Sequence, residues 1–251
     1  MSDRVEYGKG WEMRLGRWQE SPVDECDHVI SDPPYTDHVS TNQRRCTGIA
    51  NGLQVDKSDL TFMGLGGGDI PHMVDAFTSS ARRWVIIWCA VEQVGDYQRA
   101  CPDAYVRGGV WVKTNPTPQF SGDRPAMWGE ACAILHGPSR KRWHGGGHPA
   151  KWVGPYERND RHHETQKPLW LMTAQVEQFT DPGDLIWDPY AGSATTGVAA
   201  LLTGRRFVGH EMQERYFEIA VERLRATNRG TTLDAAMAGQ MTLIDAMGED
   251  I

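Results

Sequence analysis

The sequence predicts a doubly wound α/β fold: a mostly parallel sheet, helices on both faces, and one antiparallel hairpin. Three observations predict it. Residues 83–90 (RWVIIWCA) form a continuous apolar run of strand length, as a strand buried on both faces requires. From residue 184 to residue 225, short apolar runs alternate with helical periodicity, the pattern of successive βαβ units. A glycine-containing turn at 188–197 joins one of these strands to the next helix, and ligands of doubly wound sheets sit just beyond such strand ends.

In chain order, residues 24–30 read as a buried strand running into Ser31-Asp32-Pro33-Pro34-Tyr35, where two prolines end the ladder and impose a rigid turn. Residues 36–59 are polar, carry Arg44-Arg45 with Gly48 and Gly52, and read as a mobile loop. A helix is expected over 70–80, followed by the apolar strand over 83–90. Residues 105–113 and 130–136 are expected to pair as the hairpin, separated by Asn115-Pro116-Thr117-Pro118. Residues 167–179 have helical spacing, with Pro168 tolerated in the first turn. Next come a strand over 184–187 ending at Asp188, a helix over 195–202, and a strand over 206–210. A helix over 213–225 follows, with Tyr216, Ile219, Ala220 and Leu224 on its inward face. Gly64-Leu65-Gly66-Gly67-Gly68 follows no strand and reads as a loop. Residues 1–230 are assigned to one domain and 231–251 to an acidic tail.

A chain of 251 residues, 39% hydrophobic and 24% charged, has the composition of a water-soluble globular protein. No apolar window reaches bilayer length, and Met1-Ser2-Asp3-Arg4 is too polar to open a secretory signal, so a cytoplasmic location away from membranes is expected. The five cysteines (Cys26, Cys46, Cys89, Cys101, Cys132) form no CxxC pair and read as reduced thiols. His144 and His148 are four apart, but the three glycines between them oppose the helix that would align them, so no metal site is expected.

The formal net charge of −7 counts against a nucleic-acid partner until its distribution is considered. Asp234, Asp245, Glu249 and Asp250 gather in the tail without a single Lys or Arg. Between residues 139 and 163, Arg140, Lys141, Arg142, Lys151, Arg158 and Arg161 face only Glu157 and Asp160. Trp143, Trp152, Tyr156 and the histidines His144, His148, His162 and His163 share that stretch. Cations for phosphates, flat rings for bases and glycines for close approach suit a nucleic-acid-binding loop. Alone, the run reads first as a solvated loop.

Asp188-Pro189-Tyr190-Ala191-Gly192-Ser193-Ala194-Thr195 lies between strand and helix, where backbone N–H groups approach a ligand. Glu211 ends the following strand, 19 residues after Gly192, where an acid accepts both hydroxyl hydrogens of a ribose. Asp188 adds a carboxylate for an ammonium group. Ribose and ammonium without pyrophosphate suit S-adenosyl-L-methionine better than a dinucleotide.

Asp32-Pro33-Pro34-Tyr35 supplies the complementary chemistry. An exocyclic amine of a base is a poor nucleophile because its lone pair is delocalised into the ring. The Asp32 carboxylate and the Pro33 carbonyl can take its two hydrogens and turn the lone pair towards a methyl donor, with Pro34 stiffening the turn. Tyr35 offers a face on which an extruded base stacks.

Together these residues resemble the beta class of amino-methylating DNA methyltransferases, in which a DPPY motif precedes the cofactor motif. The similar segments are Asp32 to Tyr35, Thr165-Gln166-Lys167-Pro168, and the run from Asp188 to Thr196. Trp111-Val112-Lys113-Thr114-Asn115-Pro116 followed by Glu130, and Gly209-His210-Glu211 followed by Arg215-Tyr216-Phe217, are also similar. The resemblance implies a circularly permuted Rossmann-like methyltransferase sheet in which residues 11–16 supply the strand that follows the Glu211 helix in space. It implies a target-base site at Asp32, Pro33, Pro34 and Tyr35. It implies cofactor contacts from Thr165, Lys167, Pro168, Asp188, Pro189, Tyr190, Ala191, Gly192, Ser193, Thr195 and Glu211. It places a short target-recognition insertion at 137–163, a site-specific DNA substrate, a restriction–modification setting and a homodimer. Asp32, where cytosine enzymes commonly have Ser, favours adenine. Cytosine-N4 methylation, RNA methylation and a catalytically silent DNA-binding protein are the alternatives. Ala194 stands where the family often has Gly, and Gly16-Arg17 where it often has Gly-Asp, so no role falls to Arg17.

Overall fold

The computed structural model describes residues 4–35, 69–120, 122–157 and 166–237. The loop read at 36–59, the glycine run at 64–68, Arg158, Arg161, His162, His163, Thr165 and the tail beyond residue 237 lie outside them.

Nine strands form one sheet: β1 (Val5–Gly8), β2 (Trp11–Leu15), β3 (His28–Ser31), β4 (Trp84–Cys89), β5 (Tyr105–Lys113), β6 (Gly129–His136), β7 (Lys151–Gly154), β8 (Leu185–Asp188) and β9 (Arg206–Glu211). Their spatial order is β1-β2-β9-β8-β3-β4-β6-β5-β7. The helices are α1 (Asp69–Ser80), α2 (Val94–Ala100) after a 3₁₀ turn at Val91–Gln93, α3 (Leu169–Phe179), α4 (Thr195–Leu202), α5 (Glu214–Asn228) and α6 (Leu233–Met237).

Strands β2, β9, β8, β3 and β4 run parallel, so the ends of all five lie on one edge. β6 returns antiparallel beside β4 and pairs with β5 as the predicted hairpin. Its first residues, and the last ones of β5, therefore join that same edge. The permutation is visible where β2, near the start of the chain, pairs with β9, near its end, Trp11 opposite Phe207. The chain leaves β8 towards β9 on one side and β3 towards β4 on the other, and the switch point lies between β3 and β8. In doubly wound sheets this is where ligands bind.

Period-two alternation builds two cores. Trp84, Ile86 and Trp88 of β4 enter a layer with Phe179 and Val176 of α3, whereas Val85, Ile87 and Cys89 enter one with Phe77 and Met73 of α1. Burying such side chains contributes about 1.5–3 kcal/mol each.

Four local expectations change. A further strand, β1, pairs antiparallel with β2 at the outer edge. The insertion at 137–163 is partly sheet, because Trp152 is buried and β7 pairs with β5. α5 turns Phe217, Ala220, Val221 and Leu224 inward; Tyr216 and Ile219 lie at the margin of that stripe. The tail begins with a one-turn helix, α6, before the described residues end.

Candidate active site at the switch point

Asp32 leaves the end of β3 and Asp188 ends β8, its neighbour. The Ser31 hydroxyl donates to Asp188 Oδ1 at 2.7 Å, and the Tyr190 backbone N–H donates to the same oxygen at 3.1 Å. The Asp188 carboxylate is sealed beneath the turn, where it also bonds the Thr196 side chain. Its visible work is to join the two motifs. Burial pushes it up to about 6, and the charge of Asp32 adds to the rise.

The turn itself is built for close approach. Gly192 has φ +53° with open space where a side chain would stand. Ala194 adopts φ 58° and ψ 41° at the N-cap of α4, the one non-glycine residue with positive φ among the described residues. The left-handed conformation explains why glycine suits this position, and the alanine methyl is accommodated at a strain of about 1–2 kcal/mol. Glu211 closes the turn from β9: the backbone N–H groups of Gly192, Met212 and Gln213 bond its carboxylate, Gln213 at 2.7 Å. Burial raises it to about 7, and Asp188 adds to the rise.

Asp32 faces a chain of charges. Lys167 Nζ, buried just before α3, reaches Asp32 Oδ2 at 2.5 Å and Glu130 Oε2 at 2.9 Å. Lys113 Nζ, at the end of β5, reaches Glu130 Oε1 at 2.6 Å, and the Tyr35 hydroxyl donates to Glu130 Oε2 at 2.8 Å. Burial raises Asp32, with Lys167 opposing and Glu130 reinforcing the rise. Burial also works to raise Glu130, but Lys167 and Lys113 outweigh it and hold it at about 2. Burial alone would lower Lys167; the two carboxylates outweigh it and raise it. Asp32 Oδ1 is buried and has no hydrogen-bond partner among the described residues. An orphaned carboxylate oxygen is costly unless something else donates to it. This fits an incoming N–H group.

The structure thus brings together Asp32, Pro33, Pro34, Tyr35, Lys167, Pro168, the run from Asp188 to Thr195, and Glu211. It does not bring Arg140, Lys141 and Arg142 to them. β6 carries the chain from Glu130 at the site to His136 at the opposite edge, roughly 20 Å at about 3.3 Å per residue. There Arg142 pairs with Asp181 at 2.8 Å, its carbonyl accepts from Trp84 Nε1, and His144 pairs with Asp181 at 3.0 Å. The antiparallel return of β6 is the physical reason for this separation. Lys151 begins β7 part of the way back, exposed on the sheet's outer edge.

Sequence reasoning left Lys113, Glu130, Gln166 and Arg223 without roles. Ser193 Oγ donates to Gln166 Oε1 at 2.9 Å. Buried Arg223 on α5 donates to the Ser193 carbonyl at 2.6 Å, and its Nη1 also meets Ser193 Oγ and Thr195 Oγ1 at 3.1 Å. An arginine beside the apolar stripe of α5 was the available signal. For Glu130 the only sequence signal was a charged residue opening the expected apolar strand; its register opposite Trp111, two residues from Lys113, is set by the fold. Among the described residues no cluster of three metal-ligating side chains exists, and no helix is long and apolar enough to cross a membrane.

Fold and site together define a Rossmann-like α/β protein with permuted strand order and a site at its switch point. Residues 92–222 match the N6/N4-type DNA methylase family, and the chain belongs to that family. It is 44% identical over 78 residues to the type II methyltransferase M2.DpnII of Streptococcus pneumoniae, covering 31% of this chain and 26% of that protein. The chain spans about a third of the length of the curated relatives it matches. Its fold superimposes with a TM-score of 0.61 on M1.HpyAVI, solved as a complex with SAM, at 20% identity over 82% of this chain and 91% of that one. It superimposes equally, at 0.61, on the cytosine-N4-specific PvuII DNA methyltransferase, at 12% identity over 92% and 94% of the two chains.

Proposed function

We propose that the protein transfers a methyl group from S-adenosyl-L-methionine to the exocyclic amine of adenine in DNA, directly and at a specific site. The observation that carries this reading is Asp32. Its oxygen Oδ1, without a partner among the described residues, stands at the switch point, and the Ser31–Asp188 bond ties its strand to the glycine turn.

S-adenosyl-L-methionine, when bound, supplies an electrophilic methyl on a sulfonium centre. Glu211 would accept from its ribose, and the open turn around Gly192, with Ser193 and Thr195 braced by Arg223, would hold the methionine portion alongside Lys167 and Pro168. Asp32 Oδ1 accepts one hydrogen of the target amine and the Pro33 carbonyl the other, which directs the nitrogen lone pair away from both. The Tyr35 ring, held by its hydroxyl on Glu130, stacks on the extruded base. As positive charge develops on nitrogen, the ionised Asp32 stabilises it. Direct transfer needs no cysteine nucleophile, and among the described residues burial raises the thiols of Cys26, Cys89 and Cys132 to where they stay protonated.

Adenine rests on Asp32, by the family tendency for Ser at this position in cytosine enzymes. Incubation with methyl-labelled cofactor and duplex DNA, RNA or protein, followed by nucleoside analysis, tests the reading. Label is expected in N6-methyladenine of DNA. Label in N4-methylcytosine, or only in RNA, would overturn the respective part, and a homodimer is tested by sedimentation.

A further inference from the structure

We propose that Glu130 is a positioning residue for methyl transfer: one carboxylate clamps the Tyr35 phenol and the Lys167 ammonium, and so sets the stacking ring and the free oxygen of Asp32 together. The inference rests on the functional reading above. Glu130 sits just past the end of β4, since the next residue, Ala131, pairs with Cys89. From there it spans β4 to reach two segments that flank the target-base site. Its Oε2 takes both the Tyr35 hydroxyl and Lys167, and its Oε1 takes Lys113. Lys113 in turn lies 4.9 Å from the Trp111 ring and 5.7 Å from that of Tyr156.

Two ammonium groups and two carboxylates make the cluster neutral. Lys167 occupies only Oδ2 of Asp32 and is drawn towards Glu130 as well, so Oδ1 is left for the substrate. A buried ion-pair cluster is weak support for stability, because apolar packing of the same volume often serves as well. This one converges instead on the first and last residues of the Asp32–Tyr35 motif.

The titratable groups around it among the described residues are Asp32 and Tyr35 after β3, Cys89 at the end of β4, Tyr97 on α2, Lys113 on β5, Cys132 on β6, Lys167 before α3, and Asp188 behind Asp32. With Glu130→Gln the amide cannot balance two ammonium groups. Lys167 falls back on Asp32, the phenol loses its anionic acceptor, and loss of the Glu130 charge lowers the Asp32 pKa.

The experiment uses the full chain with labelled S-adenosyl-L-methionine and duplex DNA. For Glu130→Gln, kcat should fall on the order of 100-fold. The cofactor Kd by calorimetry should stay within about threefold, and the acid limb of the pH–rate profile should move to lower pH. A merely structural role would not move that limb. Tyr35→Phe keeps the ring and removes only the link; kcat should fall about tenfold, and adding this change to Glu130→Gln should cost little more, since both cut one connection. Wild-type kcat in Tyr35→Phe, full additivity of the two changes, or an unmoved acid limb overturns the inference. Should Glu130→Gln not fold, Tyr35→Phe decides alone. An inactive wild type overturns the functional reading, and this inference with it.

Discussion

The Ser31 hydroxyl donates a 2.7 Å hydrogen bond to Asp188 across 157 residues of sequence. That bond joins the residue before one motif to the first residue of the other, at the point where the sheet reverses its strand order.

Asp32→Ala should reduce methyl transfer by about 10³-fold or more, because both the acceptor for the amine and the charge opposite the developing cation disappear. Cofactor binding by calorimetry should change little. Undiminished methylation in this variant refutes the proposed site.

The pH response of the free protein follows from carboxyls displaced in opposite directions. Asp188 and Glu211 are raised to about 6 and about 7, from 3.8 and 4.5. Between those limits the folded chain holds more protons than the unfolded one, so their contribution makes stability fall as pH rises from about 4 to 7. Glu130, held at about 2 rather than 4.5, contributes stability above pH 4.5 that is lost as pH falls towards 2. Thermal denaturation across this range should show a flatter decline towards pH 7 in Glu211→Gln than in wild type. Because a ribose donates to the ionised carboxylate, S-adenosyl-L-methionine should bind more tightly as pH rises through about 7, with proton release visible by calorimetry in two buffers. A pH-independent affinity would remove Glu211 from the ribose.

Ala194 tests the shape of the turn. A β-branched residue at φ 58° meets severe strain, so Ala194→Val should cost about 3 kcal/mol and weaken cofactor binding. Ala194→Gly should stay within about 1 kcal/mol of wild type, since relief of strain offsets the lost methyl burial and the greater unfolded-state entropy. Urea denaturation measures both. Equal stability for Val and Ala would mean that the turn relaxes.

Arg223→Met leaves the Ser193 carbonyl and two hydroxyls without their cation. The expected result is a loss of about 2–4 kcal/mol in stability and a cofactor Kd raised about tenfold, with Arg223→Lys recovering part of each. Unchanged affinity in a folded Arg223→Met would show that the turn holds itself.

Replacing Arg140, Lys141 and Arg142 together should leave the salt dependence of DNA binding unchanged, because these residues stand on the edge opposite Asp32. The cost should be confined to the exposed Arg142–Asp181 pair, at most about 1 kcal/mol. A shallower slope of log affinity against log salt would return the DNA surface to this loop.

Much of this was readable one segment at a time. The buried strand of β4, the helix at 195–202 and the proline turn after Ile30 declare themselves through periodicity and backbone restriction, which depend only on near neighbours. The permuted order of the sheet came from the resemblance carried by Asp32 to Tyr35 and Asp188 to Thr196, not from periodicity. What depended on the tertiary structure was who meets whom. Lys167 finds Asp32 across 135 residues, and Glu130 gathers Tyr35, Lys113 and Lys167 because β6 runs against β4. The same reversal sends Arg140 to Arg142 to the far edge, a placement that their composition does not encode. Periodicity sets which way a residue faces along its own strand; strand order, direction and register set its distant neighbours, and the chemistry of this site resides in those neighbours.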